Sequence, residues 1–160
     1  MEQKEEIAFF PSPVKRTRTL SQAQVTEFNE LGYISPLDAL TPAETTANRD
    51  YFDALLAQVQ AFDDGRNAYS IMGYQNYCKG IWDLAQHPGI LDYVEDLLGS
   101  DFVCWSTHYF CKLPQESKHV PWHQDASYWP VRPTKTVTVW LAIDDVDHAN
   151  SPMRFIPGSH

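Results

Sequence analysis

The sequence predicts an α+β domain with its helices first and its strands after. Apolar residues recur at three- and four-residue spacing, between recognisable start and stop signals, only before Gly99; directly after it the period changes to two. The composition supports a single packed unit. The chain has 160 residues, 43% of them hydrophobic and 13% aromatic, enough to bury one core.

Residues 1–19 mix charges, threonines and the Pro11-Ser12-Pro13 pair with no hydrophobic period, and read as an extended arm. Order is expected from Leu20. Ser21 and Gln24 form an S-x-x-Q capping box, Leu20 and Val25 close a hydrophobic staple across it, and Phe28 and Leu31 continue the apolar face until Gly32 stops it. Thr41-Pro42-Ala43-Glu44 repeats the start signal, with proline at the first helical position, where a missing N–H costs nothing. Tyr51, Phe52, Leu55, Leu56, Val59 and Phe62 then form a stripe running to Asp63-Asp64-Gly65. A third helix is expected after Pro88, where Ile90, Leu91, Val94, Leu97 and Leu98 line one face and Gly99 closes it.

Beyond Gly99, Val103, Trp105, Thr107, Tyr109 and Cys111 alternate with Cys104, Ser106, His108 and Phe110, and their aromatic and β-branched content suits a strand. A polar, proline-bearing loop covers 114–121. A second strand is expected at 134–143, halted by Asp144-Asp145, and a third at Met153-Arg154-Phe155-Ile156 before Pro157-Gly158. No internal repeat interrupts this order.

Twelve Lys and Arg face twenty-one Asp and Glu, a formal net charge of -9, which repels nucleic acid and anionic bilayers; Lys15-Arg16-Arg18 is too short to reverse that. No apolar run reaches the ~20 residues of a membrane span, and the opening Met1-Glu2-Gln3-Lys4-Glu5-Glu6 lacks the order of a signal peptide, so the cytoplasm is the expected location. Cys78, Cys104 and Cys111 are odd in number and irregular in spacing, and read as buried thiols. Gly65, Gly73 and Gly80 make no phosphate loop, and no G-x-S-x-G elbow occurs.

The chemistry concentrates in Trp122-His123-Gln124-Asp125. Residues two apart in extended chain share a face, so the imidazole of His123 and the carboxylate of Asp125 can meet one ion, and this nitrogen-oxygen set suits Fe(II), Mn(II) or Zn(II). Two ligands are too few, and a bare H-x-D by itself reads more readily as a solvated turn. His119 lies four residues upstream, but Pro121 intervenes and opposes a shared helical face.

With PWHQDASYWP, TVTVWLAIDDVD and SPMRFIPGSH in place, the sequence resembles the phytanoyl-CoA dioxygenase family. These are iron(II) and 2-oxoglutarate dependent oxygenases with a WHQD segment, a W-L-A-I-D-D-like strand and an F-I-P-G-S-H-like ending. A weaker likeness reaches back through LSQAQVTEFNELGYISP, so the resemblance spans nearly everything from Leu20. It implies a double-stranded β-helix, or jelly roll, with the helices packed outside, and iron held by two histidines and one carboxylate. His123 and Asp125 match the first two ligand positions. Trp140 matches the strand tryptophan that lines the 2-oxoglutarate pocket, although an aromatic in an alternating strand is as readily core.

The family's distal histidine and 2-oxoglutarate-binding arginine have no match here. His148 sits in an acidic loop, His160 belongs to the G-S-H ending, and the spacing of Arg132 and Arg154 selects neither. A jelly roll wants eight strands and three are evident, so 20–160 reads as the N-terminal part of one oxygenase domain, inactive as an isolated 160-residue chain. Tyr109 and Trp129, with Trp105 and Tyr128, are candidate walls of a substrate pocket, core packing being the alternative.

The implied partners are O2 and a small-molecule substrate, with no nucleic acid or membrane. The implied reaction hydroxylates an aliphatic carbon. Halogenating relatives carry a small residue at the carboxylate position; Asp125 fills it here, which points to hydroxyl transfer. Two rivals remain: a non-catalytic jelly-roll binding module, and a cupin-like isomerase or hydrolase using metal without 2-oxoglutarate.

Overall fold

The computed structural model describes residues 7–62, 70–115 and 119–160. Residues 1–6 of the arm, the helix stop at Asp63-Asp64-Gly65 and residues 116–118 of the expected loop lie outside the described residues.

Helix α1 (Gln22–Leu31) starts at the expected capping box: the Gln24 N–H donates to the Ser21 hydroxyl at 3.2 Å and the Ser21 N–H to the Gln24 side chain at 2.8 Å. Gly32 ends it at φ 83°, and a Cβ there would overlap the His160 ring, so both backbone and space require glycine. Helix α2 (Pro42–Ala61) repeats the device with Thr41 and Glu44. Helix α4 (Pro88–Leu98) follows a less usual cap, His87, whose Nδ1 accepts the Gly89 N–H at 3.1 Å while Nε2–H donates to Glu44 at 3.1 Å. That one imidazole joins the starts of α2 and α4.

Helix α3 (Lys79–Ala85) has no counterpart among the expected elements. Seven residues are too few to display a period, and Gly80 reads as a breaker. In the fold Gly80 permits close approach, since a Cβ would overlap the Tyr51 ring of α2.

The β content corrects the expectation. Strands β1 (Ser70–Met72) and β2 (His108–Phe110) pair antiparallel with Ile71 opposite Tyr109. The strand expected over 103–111 thus contracts to three paired residues, and among the described residues 134–143 and 153–156 form no ladder. The architecture shown is mixed helix with a two-stranded sheet. Alternation records that a segment suits a half-buried pleat; a strand also needs a neighbour whose N–H and C=O groups pair with its own. Without one, Val139, Trp140, Phe155 and Ile156 remain exposed.

Two apolar clusters hold the fold. Phe52, Leu55 and Val59 of α2 pack on Ile71 and Ile81, with Tyr109 against them. Leu20, Val25 and Leu97 form the second, joined by Phe28, Ile34, Leu37, Tyr93 and Val137. Val137 draws the unpaired 134–143 segment onto this cluster, and polar contacts pin it further. Thr134, 8% exposed, exchanges bonds with the backbone of Ala8 at 3.1 and 2.7 Å; Lys135 donates to Leu98 O at 2.9 Å; Asp144 pairs with Arg49 at 2.6 Å. Ser12 ties the arm down: its hydroxyl accepts the Val14 N–H at 3.4 Å and donates to Asp96 O at 3.2 Å, while its N–H donates to Asn29 at 2.9 Å. Among the described residues no helix is long and apolar enough to cross a membrane.

Candidate functional site

His123 and Asp125 flank Gln124, whose φ -116° and ψ 127° are extended, so the two side chains emerge on one side before Asp125–Ser127 turns as a short 3-10 helix. His123 Nε2 stands 3.1 Å from Asp125 Oδ1. The opposite ring nitrogen, Nδ1, is 2.8 Å from the carbonyl oxygen of Pro121. A carbonyl only accepts, so Nδ1 carries the hydrogen, and in the neutral ring Nε2 presents its lone pair to the carboxylate. Two lone pairs that face each other repel unless a proton or a metal cation lies between them.

The separation suits a metal. Two atoms about 2.1 Å from one ion and at right angles to each other are about 3.0 Å apart. Nitrogen with carboxylate oxygen is a donor set for Fe(II), Mn(II) or Zn(II). No third His, Cys, Asp or Glu joins the pair among the described residues. His160 is engaged elsewhere, with Nε2 3.1 Å from Asn29 O and its ring edge-on to Phe9 at 4.2 Å.

The loop is tied down on several sides. Thr138 donates its hydroxyl to Asp125 Oδ2, leaving Oδ1 toward His123. Gln124 donates its amide to Ser159 O at 2.6 Å, and Ser127 its hydroxyl to Gln124 O at 2.6 Å. The Tyr128 ring meets the imidazole edge-on at 5.4 Å, and its N–H donates to Asp125 O at 2.9 Å.

The other sequence candidates are placed apart. Tyr109 packs on Phe52 at 5.0 Å between ring centres and donates its hydroxyl to Asn48 at 2.9 Å; burial pushes its pKa up to about 12. Trp129 is half-buried, with its carbonyl accepting from Arg132 at 3.4 Å, and Trp140 is 43% exposed. No hydrogen bond or ring contact among the described residues joins these three to His123 or Asp125.

The family model described as phytanoyl-CoA dioxygenase (PhyH) matches residues 28–160, taking in the His123–Asp125 pair. The chain belongs to the phytanoyl-CoA dioxygenase family. It is 34% identical over 134 residues to the peroxisomal phytanoyl-CoA dioxygenase of Bos taurus, covering 79% of this chain and 36% of that protein. A probable phytanoyl-CoA dioxygenase of Caenorhabditis elegans is 31% identical over 108 residues, covering 62% and 34%. An L-proline trans-4-hydroxylase of Streptomyces griseoviridis is 30% identical over 80 residues, covering 48% and 30%. The chain therefore spans about a third of the length of the curated relatives it matches. No solved structure matches it.

Within this phytanoyl-CoA dioxygenase family segment, sequence reasoning passed over Thr138 and Ser159. Thr138 lies 13 positions from Asp125 and Ser159 lies 35 from Gln124. The only available signal for Thr138 was its place in a strand-like run between two recognised motifs, which does not name its partner.

Proposed function

We propose that this chain is part of an iron(II) and 2-oxoglutarate dependent oxygenase that hydroxylates an aliphatic carbon of a small molecule. The observation that carries the reading is the spacing at His123 and Asp125: Nε2 and Oδ1 lie 3.1 Å apart, with Nδ1 held on the Pro121 carbonyl, in a family whose relatives are named dioxygenases and a hydroxylase. His123 Nε2 and Asp125 Oδ1 would hold the iron. Bound iron with 2-oxoglutarate supplies O2 activation, coupled to oxidative decarboxylation of that cosubstrate to succinate.

The chain's own part is binding and orientation. The Pro121 carbonyl holds the imidazole proton on Nδ1, and the Asp125 charge offsets that of the cation. Trp140, two positions after Thr138, shares its face in an extended run and would wall the 2-oxoglutarate side. Trp129, near the end of the WHQD loop, is the candidate for the substrate wall. Tyr109 is not proposed for it, because its ring and hydroxyl are committed to Phe52 and Asn48. The fold we assign to the active protein is the jelly roll, with 103–111, 134–143 and 153–156 as strands. Their exposed Trp105, Val139, Trp140 and Phe155 supply the apolar face such a sheet would bury.

A non-catalytic module is the second reading, favoured by one observation: only two ligand side chains converge among the described residues. The test, made on the whole protein of which this chain is proposed to be part, is purification without oxygen, loading with Fe(II), and assay of succinate with 2-oxoglutarate and candidate small molecules, acyl-CoA thioesters and free amino acids first. Oxygenase function requires succinate formed in step with substrate loss, and abolished in Asp125→Ala. Metal binding with no succinate under any substrate would favour the module.

A further inference from the structure

We infer that Thr138 is a positioning residue for Asp125, and that its hydroxyl sets which carboxylate oxygen faces the metal. The inference rests on the metal-site reading of His123 and Asp125 and extends it to a residue outside the matched ligands.

An aspartate near a loop rotates readily about its terminal torsion, which is broad and roughly two-fold. Asp125 sits at the start of a single 3-10 turn, with its side chain 36% exposed, so the loop alone does not set the carboxylate plane. The hydroxyl of Thr138 does. It donates to Oδ2 in a charge-assisted bond, which leaves the lone pairs of Oδ1 toward His123 Nε2. The neighbouring hydroxyl of Ser127 cannot substitute, because it is spent on Gln124 O at 2.6 Å.

The position of that hydroxyl is itself fixed. Threonine is branched at Cβ and stiff about χ1, so the oxygen follows its backbone. That backbone is held from both ends: by Val137 in the second apolar cluster, by Thr134 on Ala8 and Lys135 on Leu98, and by Asp144 on Arg49. A rigid segment 13 residues away in sequence thus orients the ligand oxygen that a short loop would leave free. Partners that hydrogen-bond a ligating carboxylate commonly contribute about 10- to 100-fold to metal affinity.

The test is Mn(II) affinity of the protein, followed by the electron paramagnetic resonance signal of free Mn(II), in wild type, Asp125→Ala, Thr138→Val, Thr138→Ala and Thr138→Ser, with each variant's folding checked by circular dichroism. The expected result is a loss of at least about tenfold in Thr138→Val and Thr138→Ala, and recovery to within about threefold of wild type in Thr138→Ser, which keeps the hydroxyl. Two hydroxyl-free variants of different bulk guard against one failing to fold. Wild-type affinity in a folded hydroxyl-free variant, alongside loss in Asp125→Ala, overturns this inference and leaves the metal site standing. Equal binding by wild type and Asp125→Ala overturns the metal site and the inference with it.

Discussion

The carboxylate of Asp96, on the last turn of α4, accepts the backbone N–H of Leu20 at 2.8 Å as that chain enters α1. The same carboxylate takes the N–H groups of Arg18 and Thr19, each at 2.8 Å, and is 2% exposed. One buried anion thereby closes the end of the arm onto the second apolar cluster. Asp96→Ala should strand these donors and lower stability by about 2–4 kcal/mol, measured by urea unfolding. A change under 0.5 kcal/mol, the scale of an ordinary surface substitution, would remove Asp96 from this role.

Acid should loosen the same clasp. Burial pushes the Asp96 pKa up, but the bonds from Leu20, Arg18 and Thr19 outweigh it, and the net value lies below the ordinary 3.8. A depressed acid contributes stability above its unfolded value and loses it as pH falls through the folded one. Protection of the Arg18, Thr19 and Leu20 amides, taken relative to their intrinsic exchange rates, should therefore hold down to pH 3.8 and fall below it, whereas Asp96→Asn should flatten that dependence.

Glu44 joins two helix starts, so its titration reports on both. The Thr41 N–H and hydroxyl, then His87, lower its pKa from 4.5 to about 2. Its contribution is present above 4.5 and lost as pH falls through about 2. In carboxyl-carbon NMR the Glu44 midpoint should lie near 2 and move upward in Thr41→Val; a wild-type midpoint at the ordinary value would contradict the capping box in solution.

Gly89 lies in the first turn of α4, where alanine would normally gain about 1 kcal/mol of helix propensity. A Cβ there overlaps the backbone oxygen of Ala39, which has no rotamer to escape into. Gly89→Ala should therefore destabilise, by about 1–3 kcal/mol in thermal or urea melts. Stabilisation would mean that the α4 start does not pack on Ala39.

Tyr109 distinguishes core from site. Its pKa, raised to about 12 by burial, implies stability present below the ordinary 10.0 and lost as pH rises through about 12. Tyr109→Phe strips the Asn48 oxygen of its donor and should cost about 1–2 kcal/mol, with Mn(II) affinity unchanged. A fall in affinity at unchanged stability would move Tyr109 into the site.

The sequence alone determined the features made by neighbours. The boxes at Ser21–Gln24 and Thr41–Glu44, the stop at Gly32 and the common side of His123 and Asp125 are bonds and directions among residues two to four apart, where backbone geometry leaves little choice. Tertiary structure alone decided the rest. Asp96 meets the arm's N–H groups from 76 to 78 positions away, a partnership that no local pattern around α4 encodes. The close approach of Gly80 to the Tyr51 ring joins two helices far apart in sequence, and 134–143 read as a strand although a ladder needs a partner that its own alternation does not specify. Thr138 met Asp125 for a similar reason: Val137 is half-buried against the cluster of Leu97, and hydrophobic burial carries no direction along the chain from which its polar neighbour's partner could be read.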